Sequence, residues 1–75
     1  MDPLLIKQHP DSSQVIETRY NPLAQKLIIL FRHENAEYEY SGVQPAVYEE
    51  LTKARSIGKF VHLYIKPNFR YERIK

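Results

Sequence analysis

Lys26-Leu27-Ile28-Ile29-Leu30-Phe31-Arg32, then His33-Glu34-Asn35-Ala36, then Glu37-Tyr38-Glu39-Tyr40, is the stretch that decides the architecture of this chain. In the first run Leu27, Ile29 and Phe31 fall on one side of an extended strand and Ile28 and Leu30 on the other, so both faces are at least partly covered. In the last, Tyr38 and Tyr40 alternate with Glu37 and Glu39, the pattern of a strand with one face toward a core. The polar break between them suits a tight reversal, and Asn35 is the residue best able to take a positive φ. Two antiparallel strands follow from this segment alone.

Working outward, Gln14 to Tyr20 is rich in β-branched residues and predicts a preceding strand. Ile16, Thr18 and Tyr20 share one face of it, Val15, Glu17 and Arg19 the other, and Asn21-Pro22 turns the chain back. After Ser41-Gly42 the period changes. Val43, Val47, Leu51 and Ala54 mark one face of a helix, with Pro45 in its first turn, Tyr48 on its shoulder, and Glu49, Glu50 and Lys53 toward water. Ser56 caps a second, shorter helix whose buried side is read as Phe60, Leu63 and Tyr64, and Pro67 closes it. Asn68 to Ile74 alternates again and is read as an extended segment that either adds an edge strand or stays mobile. The expected fold is α+β: a three-stranded antiparallel meander, an α-helix packed on one face, a short second helix and a C-terminal extended segment. Residues 1–11, with Pro3 and Pro10, are expected to form a flexible N-terminal arm, and residues 12–75 a single domain.

The chain has 75 residues, no cysteine and no tryptophan, with 43% apolar and 27% charged residues, which leaves room for one small domain. Without cysteine, disulfides, thiolate zinc sites, iron–sulfur clusters and cysteine nucleophiles are excluded. The start, Met1-Asp2-Pro3-Leu4-Leu5-Ile6-Lys7, lacks the positive charge and long apolar run of a signal peptide, so a cytoplasmic location is expected. Charge is unevenly spread: residues 1–52 carry a net −4 and residues 53–75 a net +6. Phe60, Tyr64, Phe69 and Tyr71 are interleaved with the basic residues, a mixture suited to phosphates and bases and equally to a solvated face over core aromatics.

The paired serines Ser12-Ser13, Tyr20 and Phe31 at strand ends, and Tyr38-Glu39-Tyr40 come in a particular order. They are followed by Gly42-Val43-Gln44-Pro45, Val47-Tyr48-Glu49-Glu50-Leu51, Ala54, Ser56, Gly58-Lys59-Phe60 and Ile65-Lys66. This ordered set resembles the KTSC domain, named for its occurrence at the C-terminus of some lysyl-tRNA synthetases and found also as a stand-alone bacterial protein. The resemblance spans residues 12–73. It implies a small α+β domain without established enzymatic activity, for which RNA binding has been suggested. The chain departs from the family in having His33-Glu34-Asn35-Ala36 where glycine is usual, and Val61-His62-Leu63 where polar residues are usual.

The candidate phosphate contacts are Lys53, Arg55, Lys59, Lys66, Arg70 and Arg73; were all six engaged by a single strand, affinity would fall with a salt slope of roughly −4. Tyr38, Tyr40, Phe69 and Tyr71 are candidate stacking or motif aromatics, although burying Tyr38 and Tyr40 under the helix is the reading that a small core favours. Ser56 and Gly58 form a candidate phosphate turn, or simply a cap and a tight corner. His9, His33 and His62 are too scattered for a metal site, Ser12 and Ser13 lack a nucleophile context, and Glu37 and Glu39 read as a solvated strand face. The expectation is therefore a non-catalytic nucleic-acid-binding module, RNA before DNA. It carries no cofactor, metal or membrane partner, and RNA (tRNA or single-stranded) or a protein is its partner. The alternative is a protein-interaction or adaptor domain with no nucleic-acid role, binding through an edge strand or the aromatic tail.

Overall fold

Five antiparallel strands lie in the sheet in the order in which the chain makes them, and helices follow the fourth. The computed structural model describes residues 4–75. The strands are β1 (Leu5–Gln8), β2 (Val15–Asn21), β3 (Lys26–Phe31), β4 (Glu37–Ser41) and β5 (Arg70–Arg73). The helices are α1 (Pro45–Lys53) and α2 (Ile57–Phe60), the latter running on into a π-helical turn over Val61–Ile65.

The α+β class and the β2–β3–β4 meander agree with the sequence reading, but the sheet has five strands rather than three. Residues 5–8 of the segment read as an arm pair with β2, Leu5 opposite Tyr20 and Gln8 opposite Glu17, while Met1, Asp2 and Pro3 lie outside the described residues. The C-terminal extended segment pairs with β4, Tyr71 opposite Tyr40. Both added strands are exposed along their length; the alternation of residues 68–74 still marks β5 as extended, whereas Leu5–Gln8 buries no face and shows no such pattern.

Local chemistry sets the reversals. Asn21 Oδ1 accepts the amides of Leu23 at 3.0 Å and Ala24 at 3.2 Å, an Asx turn that returns the chain into β3. Before β4, both Glu34 and Asn35 take positive φ, 59° and 50°. Gly42, at φ 75°, lets the chain leave β4 toward α1.

One face of the sheet carries Thr18, Ile29 and Tyr38 in one row and Tyr20, Leu27 and Tyr40 in the next. The core forms where this face meets Val43, Tyr48, Leu51, Val61 and Ile65. Three sequence-based assignments are corrected here. The pairing of β2 with β3 slips between Val15 and Glu17, so Ile16 is the extra residue of a bulge and Val15, opposite Phe31, becomes the buried member. Tyr48 is not on the shoulder of α1; its ring stacks on Tyr20 with centroids 4.5 Å apart and 13° between planes. In the second helical segment the buried stripe is Gly58, Val61 and Ile65, whereas Leu63 and Tyr64 are 53% and 55% exposed. That segment is apolar round most of its circumference, so spacing alone could not pick the stripe. The smaller, β-branched side chains and the glycine allow the closer approach.

The opposite face of the sheet is open, yet its charges are tied together rather than simply solvated. Glu37, only 8% exposed, accepts from Arg19 at 3.1 Å and lies 3.7 Å from Lys75 Nζ. Arg19 also bonds Glu17 at 2.5 Å, and Lys26 lies 3.8 Å from Glu39. The Glu17 and Glu37 carboxylates hold the Arg19 guanidinium above its ordinary pKa, through the Glu17 hydrogen bond first.

Just past β1, His9 is buried and its Nε2 shares a 2.9 Å hydrogen bond with the fully buried Thr18 hydroxyl. Burial, and then the Lys7 ammonium, push His9 below its ordinary value of 6.5. A depressed histidine binds fewer protons folded than unfolded. Its stabilising contribution is thus complete above the unfolded value and is lost as pH falls through the folded one. Urea unfolding of the wild type should show stability declining as pH falls below about 6.5, and His9→Gln should show a shallower decline there.

Candidate functional site

Where the helices stop short of β4 and β5, an open cleft of about 310 Å³ remains over the core-side face of the sheet. Phe31 closes β3 at its base; Tyr38 stands opposite on β4; Lys66 arrives from the end of the π-helical turn and Arg73 from β5. Ser13, Gln14, His33 and Glu34 complete the rim. The backbone explains the meeting of Lys66 and Arg73: the Ile65 carbonyl accepts the amides of Asn68 and Phe69, each at 3.2 Å, and turns the chain at once into β5.

The rings form a row. Phe31 meets Tyr38 edge-on at 5.6 Å, and Tyr38 stacks on Tyr71 at 5.7 Å with 14° between planes. Lys66 Nζ lies 5.2 Å from the Phe31 centroid and the Arg73 guanidinium carbon 6.0 Å from that of Tyr38, both within cation–π range. Arg73 is partly neutralised by Glu34 at 3.5 Å, while Lys66 has no carboxylate within ion-pair distance among the described residues. Tyr71 is 62% exposed, so the outer end of the row is open to solvent.

Of the six cations singled out from sequence, only Lys66 and Arg73 line this cleft. Lys53 is held by Glu49 at 3.0 Å one turn back along α1. Arg55 lines a separate cleft of about 260 Å³ beside His9 and Asp11. Lys59 is exposed on α2, and Arg70, opposite Ser41 and one residue before Tyr71, points to the other face of the sheet.

The aromatic set also divides. Tyr40 is 1% exposed and belongs to the core; burial first, then the Tyr38 and Tyr71 hydroxyls, push it up to about 12. Tyr38 and Tyr71 remain at the cleft, and Phe69 lines a different one. Ser56 caps α2, its hydroxyl accepting the Lys59 amide at 3.2 Å. Gly58 is buried, and a Cβ there would come within 2.8 Å of Gln14 Oε1, so that corner is filled by the glutamine side chain. Phe31, Gln14 and Ser13 line the cleft without any signal in the sequence that marks them for it. Phe31 alternates with Leu27 and Ile29 like any core residue, and only the end of the helical cover leaves it at a cleft.

His33 and Glu34 lie 3.7 Å apart at the exposed rim, and no hydrogen bond joins Ser13 to His33. Among the described residues no three histidine, aspartate or glutamate side chains gather as a metal site would require, and no helix is long and apolar enough to cross a membrane.

Comparison with known proteins bears on the family and the fold. The KTSC domain family matches residues 11–69. Lysine–tRNA ligases of Nostoc sp. and Trichormus variabilis are each 38% identical to the chain over 65 residues, 87% of this chain and 11% of the ligase. The chain thus spans about a tenth of the length of those relatives. A protein of Tsukamurella paurometabola is 38% identical over 63 residues, covering 84% of this chain and 92% of that protein. The crystal structure of a KTSC domain protein from Yersinia pestis superposes with a TM-score of 0.83 at 29% identity, over 95% of this chain and all of the other. The five-stranded sheet, its one-sided helical cover and the ordered motifs along it are those of one family, and the chain is a member of the KTSC domain family.

Proposed function

We propose that the chain is a non-catalytic nucleic-acid-binding module of the cytoplasm, selecting RNA over DNA, and that it holds a single strand in the cleft between Lys66 and Arg73. The observation that carries this reading is the ring row Phe31–Tyr38–Tyr71, open at Tyr71 and flanked by the two cations. A base stacks on the exposed Tyr71 while Lys66 and Arg73 take the adjoining phosphates. The Ser13 hydroxyl and Gln14 amide at the rim are suitable partners for a ribose 2′-hydroxyl, the group that separates RNA from DNA. Two relatives that contain a similar segment are named lysine–tRNA ligases, which favours the same polymer. The non-catalytic part rests on the missing Ser13–His33 link and the exposure of the His33–Glu34 pair, since a nucleophile and its base need to be joined and held.

Fluorescence anisotropy with a tRNA mixture and short single-stranded oligonucleotides, at increasing salt, tests it. With two phosphates engaged, the logarithm of affinity should fall with a slope of about −1.4, not the roughly −4 that all six cations would give. Tyr71→Ala should weaken binding by about 1–3 kcal/mol, and the double variant Lys66→Gln/Arg73→Gln should remove most of the salt dependence. Affinity that ignores salt, or a double variant that binds as the wild type does, overturns the reading.

The adaptor alternative is favoured by one observation: edge strand β1 and the residue before it expose Leu4, Leu5 and Ile6 at 51%, 47% and 57%. An extended partner segment added there would be lost on Ile6→Lys, with the RNA titration unaffected.

A further inference from the structure

A second cleft, of about 510 Å³, is lined by Val47 and Glu50 of α1 and by Phe60, Tyr64, Asn68 and Phe69. It shares no residue with the first. Phe60 and Tyr64 present rings 5.0 Å apart and tilted by 47°, and Phe69 supplies a third wall. The residues are only partly engaged elsewhere: Phe60 and Phe69 are half-buried against the core, and Tyr64 is 55% exposed.

The only charge lining this cleft is negative. Glu50 is exposed and has no cation within ion-pair distance among the described residues, whereas its neighbour Glu49 is taken by Lys53. Asn68 Nδ2 donates to the Tyr64 carbonyl at 2.9 Å, which leaves its Oδ1, an acceptor, uncommitted. Although the chain carries 11 lysines and arginines, none lines this cleft. The faces of aromatic rings are electron-rich, so rings, carboxylate and amide oxygen all favour positive charge. An anion would find no cation here and would face the Glu50 carboxylate, and a wholly apolar guest would strip water from Glu50 without compensation. The volume lies within the range of clefts that take small molecules.

We propose that this cleft binds a small organic cation, an ammonium head on an apolar body, with the head between Glu50 and the ring faces and the body along Val47 and Phe69. The affinity belongs in the millimolar range, as suits a site open on one side. The proposal does not depend on the RNA reading, because the two clefts have no side chain in common.

The test is an amide NMR titration of the whole chain with choline and, in parallel, with its uncharged isostere, in which a quaternary carbon replaces the nitrogen. Choline should shift the amides of Val47, Glu50, Tyr64 and Asn68 and bind about ten-fold more tightly than the isostere. Glu50→Gln and Tyr64→Leu, both at exposed positions that leave the core intact, should each weaken choline by about five-fold or more. Equal binding of the charged and uncharged probes would overturn the proposal, since it would make the cleft a merely apolar groove. Shifts that survive both substitutions, or no shifts where an equal addition of sodium chloride is also silent, would overturn it too.

Discussion

Replacing Tyr20 by alanine should cost about 4 kcal/mol and bring the domain to the edge of unfolding at room temperature. Tyr20 is 1% exposed and ties together three parts of the fold. It sits in β2 opposite Leu27 on one side and Leu5 on the other, its ring lies flat on Tyr48 of α1, and its hydroxyl donates to the Val43 carbonyl at 2.5 Å. Alanine keeps the strand pairing but removes the ring stack and the hydroxyl donor, and leaves a cavity that a thin core cannot refill. A domain of this size has roughly 4–11 kcal/mol of stability in total, so the loss is between about a third and all of the margin. Tyr20→Phe separates the contributions. It keeps the stack and removes only the donor, and should cost about 1–2 kcal/mol, since a buried carbonyl loses its partner. Urea midpoints for the two variants give both numbers. If Tyr20→Phe proved as damaging as Tyr20→Ala, the ring stack would contribute little and the hydrogen bond nearly everything.

Ile65→Ala should destabilise by about 3 kcal/mol, and its effect should reach the RNA cleft as well. Ile65 is fully buried in the π-helical turn, and its carbonyl receives the two amides that swing the chain into β5. Lys66 is the next residue and Arg73 lies on the strand so placed. Loosening this pivot should therefore weaken oligonucleotide binding even under conditions where the variant is still folded by circular dichroism. Leu51→Ala makes the control. Leu51 is equally buried, but on α1, and lines neither of these cation positions, so it should lose similar stability with unchanged affinity in the folded fraction.

The extent to which the chain was legible follows from where its patterns are forced. β3 and β4 announce themselves because Leu27, Ile29, Tyr38 and Tyr40 must alternate to reach one core, and the helix after Gly42 because its period changes. The edge strands differ: residues 68–74 alternate and so read as extended, whereas Leu5 to Gln8 buries no face and leaves no periodicity. One bulged residue at Ile16 inverted the reading of Val15, because a single insertion exchanges the faces of everything before it. In the site, charge in the C-terminal third was evident, but convergence was not. Arg70 and Arg73 are three residues apart and lie on opposite faces of the sheet, whereas Lys66 and Arg73 are separated by a turn and meet. Alternation along a strand and the sharpness of a turn decide such meetings, and composition carries neither.

Strand order equal to chain order has a kinetic consequence. Each strand from β2 to β4 pairs with the one just before it, so the loops that must close first are short and their entropic cost is small. Only β5 must wait, because the whole helical segment intervenes between it and β4. Assembly should thus be fast for a sheet protein, with the β2–β3–β4 meander forming early and the C-terminal strand adding last. The Lys66–Arg73 cleft, which needs that strand, would be among the last features of the molecule to form and the first to be lost in a partial opening.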